Sequence, residues 1–232
     1  MKNIINEKPS LELHGRPLYN TVFVDDSDLY CKTILDIGCG YGWFELNALK
    51  RGCNKIIGVE LAENDLNTAK VNINNKRAEF QVGNAIELPF NDCLFDTVVS
   101  WEVIEHIPKN TETKMFNEVN RVLKIGGVFY LSTPLNNFFS NLFDPAWWLI
   151  GHRHYKKEKL IKLAKNNGFV VDKVNLNGGC WEILGINDLY LAKWIFRRRP
   201  FFETFINRKQ DSEYKEKNGF TNIFLKFKKR EK

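Results

Sequence analysis

The most constraining stretch is a glycine elbow, Asp36-Ile37-Gly38-Cys39-Gly40-Tyr41-Gly42, set directly behind a short apolar run, Lys32 to Ile37. The run is β-branched and uninterrupted, as expected of a parallel strand buried on both faces. Glycines at its carboxyl end let the backbone turn sharply and approach a ligand closely. Open α/β sheets bind ligands at that edge. The spacing is G-x-G-x-G, and Trp43 stands where a dinucleotide fingerprint wants a small residue. A pyrophosphate needs an unobstructed helix N-terminus, so the indole argues against a nicotinamide dinucleotide and an oxidoreductase.

The rest of the chain repeats the same alternation. Helical spacing predicts helices over Trp43–Arg51, Glu63–Asn74, Thr111–Leu123 and Lys157–Asn167. Strands are predicted at Lys55–Glu60, Ala78–Val82, Phe95–Trp101, Val128–Ser132, Phe169–Val174 and Phe220–Phe227. Strand–helix alternation indicates right-handed βαβ units around a parallel sheet. Phe138 to Ile150 reads as aromatic-rich and irregular, and Glu182 to Phe205 as one apolar helical insertion closed by Pro200.

With 232 residues, one domain is the expectation, 1–232. Its core spans about 30–178 plus a last strand at 219–228, with cap insertions at about 134–155 and 180–210. The five cysteines form no C-x-x-C pair, so neither a zinc site nor a disulfide framework is indicated. Met1 to Asn6 lacks a signal pattern, and no run approaches the length of a membrane span. A reducing cytoplasm is the expected setting, with attachment to a membrane surface left open. The net charge of +6 gathers late, at Arg197-Arg198-Arg199 and Lys226 to Lys232, and by itself selects no partner.

Further candidate positions follow the elbow in order. Glu60 ends the second strand, where a carboxylate accepts both hydroxyls of a ribose. Gly83-Asn84-Ala85 follows the third strand, where an amide and a backbone N–H suit an adenine edge. Together with Ile-Leu-Asp-Ile-Gly-Cys-Gly-Tyr-Gly (34–42) and Gly-Val-Glu (58–60), three more words complete an ordered set. These are Leu-Pro-Phe-x-x-x-x-Phe-Asp (88–96), Glu-Val-Ile-Glu-His-Ile (102–107) and Arg-Val-Leu-Lys-Ile-Gly-Gly (121–127). Over roughly residues 10 to 175 the chain resembles class I S-adenosylmethionine-dependent methyltransferases. It is most similar to the small-molecule branch, which includes quinone-biosynthesis enzymes and relatives found with glycan or lipid genes.

The resemblance implies a Rossmann-like, doubly wound sheet of seven strands, mostly parallel, with the last antiparallel. It implies S-adenosyl-L-methionine as cofactor. Gly38, Gly40 and Gly42 would pass under its methionine part, flanked by Cys39 and Tyr41, with Asp36 fixing the loop. Glu60 would hold the ribose beside Leu61. Asn84, where the family usually has Asp, and Ala85 would face the adenine, and Trp101 would border the pocket. His14-Gly15-Arg16-Pro17-Leu18-Tyr19 resembles an element that covers the cofactor, so Arg16 is either a partner of its carboxylate or a surface cation.

Methyl transfer to an oxygen acceptor also needs a proton removed. His106 is the first candidate base, with a reference pKa of about 6.5. His152 and His154, in Gly151-His-Arg-His-Tyr155, are the second choice. No metal is the first expectation; the alternative is a divalent ion on Glu102, Glu105 and His106, as in some quinone O-methyltransferases of this type. The acceptor is expected to be small and hydrophobic, or linked to lipid or glycan. A non-catalytic cofactor-binding module and an RNA methyltransferase are the alternatives. Nucleic acid is disfavoured, because Ser100-Trp101-Glu102-Val103 replaces the Asn/Asp-Pro-Pro-aromatic turn of amino-methylating enzymes. Ile183 to Phe196 is apolar on nearly all faces and Arg197-Arg198-Arg199 follows, so residues 183–205 form either a buried cap or an interfacial segment against an anionic membrane.

Overall fold

The computed structural model describes residues 7–216 and 218–231, so the reading of Met1 to Asn6 lies outside the described residues, as does Lys232. The chain opens with α1 (Gly15–Phe23), β1 (Thr33–Ile37), α2 (Trp43–Lys50), β2 (Lys55–Glu60), α3 (Glu63–Asn72) and β3 (Ala78–Val82). It continues with β4 (Phe95–Trp101), α4 (Glu112–Val122), β5 (Leu123–Pro134), α5 (Phe138–Phe143), α6 (Pro145–Ile150) and α7 (Lys157–Asn166). It ends with β6 (Phe169–Asn177), α8 (Cys180–Tyr190), α9 (Glu203–Glu213) and β7 (Asn222–Lys229). The strands form one sheet in the order β3-β2-β1-β4-β5-β7-β6. β7 runs antiparallel between β5 and β6, and the remaining strands are parallel to one another. This is the expected seven-stranded, doubly wound sheet.

Successive strand residues point to opposite faces, and both faces are apolar. Leu35, Val98, Phe129 and Leu225 face one layer, with Met115 and Phe116 of α4 and Leu160 of α7. Their neighbours Ile34, Val99, Tyr130 and Phe224 face the other, with Phe23 of α1 and Phe44 of α2. Helix α1 lies on this second layer through Tyr19, 4.6 Å from the ring of Phe224, and Phe23, 5.7 Å from that of Tyr130.

Three segments differ from expectation. β5 begins at Leu123, which pairs with Phe95; the register then shifts, and Val128 pairs with Thr97 beyond Gly126-Gly127. The stretch expected to be irregular forms the two short helices α5 and α6. Their starts are capped by Asn137, which accepts from the Ser140 N–H at 3.0 Å, and Asp144, which accepts from the Ala146 N–H at 2.9 Å. The single insertion helix is instead α8, a π turn over Leu191–Phe196, a left-handed Arg197, and then α9 beyond Pro200.

Beneath the elbow lie two buried carboxyl groups. Asp36 is 1% exposed on β1 and Glu45, on α2, is fully buried. Burial pushes Asp36 up to about 8, and burial beside Asp36 raises Glu45 well above the carboxylate range. Two carboxyl groups close together in a dry site each resist ionisation. In the unfolded chain both ionise near pH 4. Between pH 4 and 8 the folded state therefore binds more protons, and stability falls as pH rises. Glu45→Gln removes one of these protons from the balance. We expect the decline of melting temperature between pH 5.5 and 8.5 to be shallower in the variant, by on the order of a few degrees. Equal slopes in the two proteins would show that the pair does not titrate as described.

Candidate functional site

The elbow is hung on the end of the second strand. Gly38 N–H and Cys39 N–H both donate to Val59 O, at 2.8 and 3.1 Å, and Gly40 N–H donates to Glu60 Oε2 at 3.3 Å. Glu60 Oε1 accepts from Leu61 N–H at 2.7 Å and Ala62 N–H at 3.2 Å, so its carboxylate is held rigidly at the sheet edge. Gly38 is left-handed, with φ 78°, and a Cβ there would collide with Val103 of the turn after β4. Gly40, with φ 53°, has no heavy atom of the described residues within 4 Å of where its Cβ would stand. A glycine cradle open above Gly40, next to a fixed carboxylate, fits a nucleoside with a ribose diol.

Asn84 lies where expected, but its Oδ1 already accepts from Ile86 N–H at 3.2 Å. One lone pair and the amide N–H groups remain. Ala85 is buried, Leu61 is exposed, and Tyr41 is partly buried. Cys39 is 1% exposed, and burial, together with nearby acids, raises its thiol far above its usual range, so it is no nucleophile. Trp101 is buried against Phe44, ring centroids 5.7 Å apart, and its indole N–H has no acceptor among the described residues.

The turn after β4 carries the second half of the site. Glu102 is in the left-handed region, φ 57°, an uncommon conformation for a side chain with Cβ. Its carboxylate accepts from Arg16 Nη1 and from Ser132 Oγ, both at 2.6 Å. Arg16 also lies 3.5 Å from Glu182 of α8. The guanidinium is thus neither a free surface cation nor turned wholly to a ligand. Glu105 is buried, and Thr133 Oγ1 donates to its Oε2 at 3.0 Å. Burial, and the neighbouring Glu102 charge, raise its carboxyl well above the usual range. Arg153 clasps the same turn, donating to the carbonyls of Ile104 (2.8 Å), Glu105 (3.3 Å) and Ile107.

The histidines converge from two segments. His106 Nε2 lies 3.0 Å from His152 Nε2, and His152 Nδ1 lies 3.6 Å from Asp144 Oδ2. The outer edge of His106 is exposed, yet burial of its ring, with His152 beside it and the positive Arg153 and Arg16 nearby, pushes it down to about 4. Asp144 would be raised by burial, but His152, His154 and the Ala146 N–H outweigh that and hold it below the carboxylate range. His154 differs from the other two. Its Nδ1 is 2.8 Å from Asn141 Oδ1 and its Nε2 2.8 Å from Asp144 Oδ2, so both ring nitrogens are occupied. Trp147 packs on its ring at 4.8 Å. Its place is therefore that of a brace joining α5 and α6.

These groups line a cavity of about 180 Å³ with Phe143, Ile183, Ile186, Leu189 and Tyr190. The metal set Glu102, Glu105 and His106 is not brought together, because Glu102 is turned to Arg16 and Ser132. The ligand atoms that do come within 4.8 Å of one another belong to Glu105, His106 and His152, and to Asp144, His152 and His154. Sequence reading missed Asp144, Glu45, Glu182 and Arg153. Asp144 before Pro145 carried a helix-start signal, but nothing local linked it to histidines on another loop.

Comparison with known proteins agrees with this arrangement. Residues 35–131 match the family model described as a methyltransferase domain. A probable S-adenosylmethionine-dependent methyltransferase of Mycolicibacterium smegmatis is 31% identical over 61% of this chain and 53% of its own length. Norajmaline N-methyltransferase of Rauvolfia serpentina is 28% identical over 87% of this chain and 66% of its own. The chain thus spans about half to two-thirds of the length of these relatives. Among solved structures, geranyl diphosphate C-methyltransferase of Streptomyces coelicolor, held with Mg2+, geranyl diphosphate and S-adenosyl-L-homocysteine, superposes with TM-score 0.68. It shares 15% identity over 90% of this chain and 77% of that one, which shows a common fold. Residues 35–131 thus carry a methyltransferase domain, and the ordered motifs, sheet topology and glycine cradle around it are those expected of class I S-adenosylmethionine-dependent enzymes.

Proposed function

We propose that the protein transfers a methyl group to an oxygen of a small, hydrophobic acceptor seated between the His106–His152 pair and the apolar wall of α8. The observation that carries this reading is the placement of two facing imidazoles opposite the apolar side chains of α8, in a cavity at the carboxyl ends of β4 and β5. The relatives named for an alkaloid and a prenyl diphosphate support a small-molecule acceptor.

S-adenosylmethionine, when bound, supplies a methyl group on an already activated sulfonium. Gly38 and Gly40 would let it approach the backbone, Glu60 would take its ribose hydroxyls, and Asn84 and Ala85 would face its adenine. The chain's remaining task is positioning and proton removal. The Asp144 carboxylate, 3.6 Å from His152 Nδ1, favours the tautomer with its hydrogen on that nitrogen. The facing Nε2 atoms, 3.0 Å apart, then share one hydrogen donated by His106, so the pair acts as a single accepting unit. The pair removes the acceptor's hydroxyl proton as the new C–O bond forms. Glu105, its carboxyl raised by burial, lines the acceptor side of the same cavity. The apolar wall of the cavity excludes water from the reacting atoms.

Glu60→Ala should weaken S-adenosylhomocysteine binding by about 1.5–3 kcal/mol in calorimetry, the usual cost of losing hydrogen bonds to a charged group. With transfer of labelled methyl to an identified acceptor as readout, His152→Ala and His106→Ala should each lower kcat by about 10²–10⁴-fold. The double variant should lose little more than either single one, because the two act as a unit. Full turnover in both single variants would remove the base assignment. The acid limb of kcat/KM should follow the lowered His106, falling only as the pH drops through about 4. A fall centred on the ordinary histidine range, about 6.5, would contradict it.

A further inference from the structure

Fifteen of the 24 exposed large apolar side chains among the described residues lie in two stretches, 138–150 and 184–205. That concentration is the reverse of a normal surface, where such residues are scattered singly. Phe138 is 72% exposed, Trp148 66%, Ile195 68% and Phe202 65%. The two stretches that carry them are side by side. α5 and α6 both pack on α8, and Asn187 Nδ2 donates to Phe143 O at 2.9 Å. Helix α8 turns Ile183, Ile186 and Leu189 to the histidine cavity and leaves Leu184 exposed on its outer side. A cap helix meeting water would have a polar outer face.

Charge lies at the edge of this surface. Arg197, Arg198 and Arg199 are exposed, and among the described residues none of them forms an ion pair with a carboxylate. Arg198 stacks over Phe201 at 4.4 Å, and Phe201 meets Phe196 at 5.2 Å, so cation and aromatics form one unit. Aromatic and aliphatic side chains beside unpaired arginines suit the headgroup boundary of an anionic bilayer. A second copy suits it less, because a two-fold contact brings two arginine triplets to one interface. No helix among the described residues is long and apolar enough to cross a membrane, so the contact lies in the interface plane.

We infer that the cap formed by α5, α6, α8 and the turn as far as Phe205 docks on an anionic membrane surface and opens the histidine cavity towards the lipid. The docking stands on the exposed surface alone; the acceptor's route from the lipid rests on the function proposed above. The inner wall and the outer face of the cap are parts of the same elements. A hydrophobic acceptor leaving the bilayer would therefore reach His106 and His152 without crossing water.

The test is sedimentation of the full chain with phosphatidylcholine vesicles, with and without phosphatidylglycerol, in the absence of methyl donor or acceptor. Binding should require the anionic lipid and weaken with salt. R197Q/R198Q/R199Q should lower the partition coefficient on the order of a hundredfold. F138S/W148S/F202S should abolish binding while S-adenosylhomocysteine calorimetry remains unchanged, which separates docking from folding. Protein left in the supernatant at low salt, equal binding to neutral vesicles, or indifference to the arginine substitutions would each overturn the inference. So would cap-dependent dimerisation in sedimentation velocity without vesicle binding. Vesicle binding with no methylation of lipid-soluble hydroxyl acceptors would leave the docking intact and reject the proposed function instead.

Discussion

Arg16 is where the parts of this molecule meet. Its guanidinium joins α1 to Glu102 in the turn after β4 and to Glu182 at the start of α8. Burial disfavours its charge, but the two carboxylates outweigh that and hold the proton more firmly than usual. Glu182 is 2% exposed and is itself raised by burial, with Arg16 opposing the rise. Removing one partner from such a cluster leaves buried charge uncompensated, at a cost of about 3–5 kcal/mol. The ion cluster thereby couples the cover helix, the strand end and the cap, which otherwise share few contacts.

The chemistry of the cavity follows from the same scarcity of water. Burial and the Glu102 charge hold the Glu105 carboxyl well above its usual range. Burial, with Arg153 and Arg16 nearby, pushes His106 down to about 4. Asp144 is held below the carboxylate range against burial, by two imidazoles and a helix-start N–H. Glu102, paired with Arg16, lines the same small volume. Arg153 keeps them in register by gripping three carbonyls of the turn that carries His106.

Much of the cofactor side was legible from local pattern. The strand–elbow–helix of residues 32–51 and the acid at Glu60 are set by nearest neighbours and periodicity, and the sheet reproduces them. The acceptor side was less legible. α5 and α6 hide behind aromatic composition, and their starts depend on Asn137 and Asp144 side chains that resemble ordinary loop residues. His106, His152 and His154 look alike as letters. Only packing separates a facing pair from a brace, because it depends on which oxygen reaches which ring nitrogen.

The sequence by itself determined the element order, the buried parallel strands and the glycine elbow, since backbone conformation and apolar periodicity act over a few residues. The tertiary structure decided protonation and partnership: that Glu102 belongs to Arg16, that Glu45 shares a site with Asp36, and that the cap shows its apolar side outward. Those outcomes depend on desolvation and on contacts between residues far apart in the chain. Such long-range balances of burial and charge leave no mark in local order.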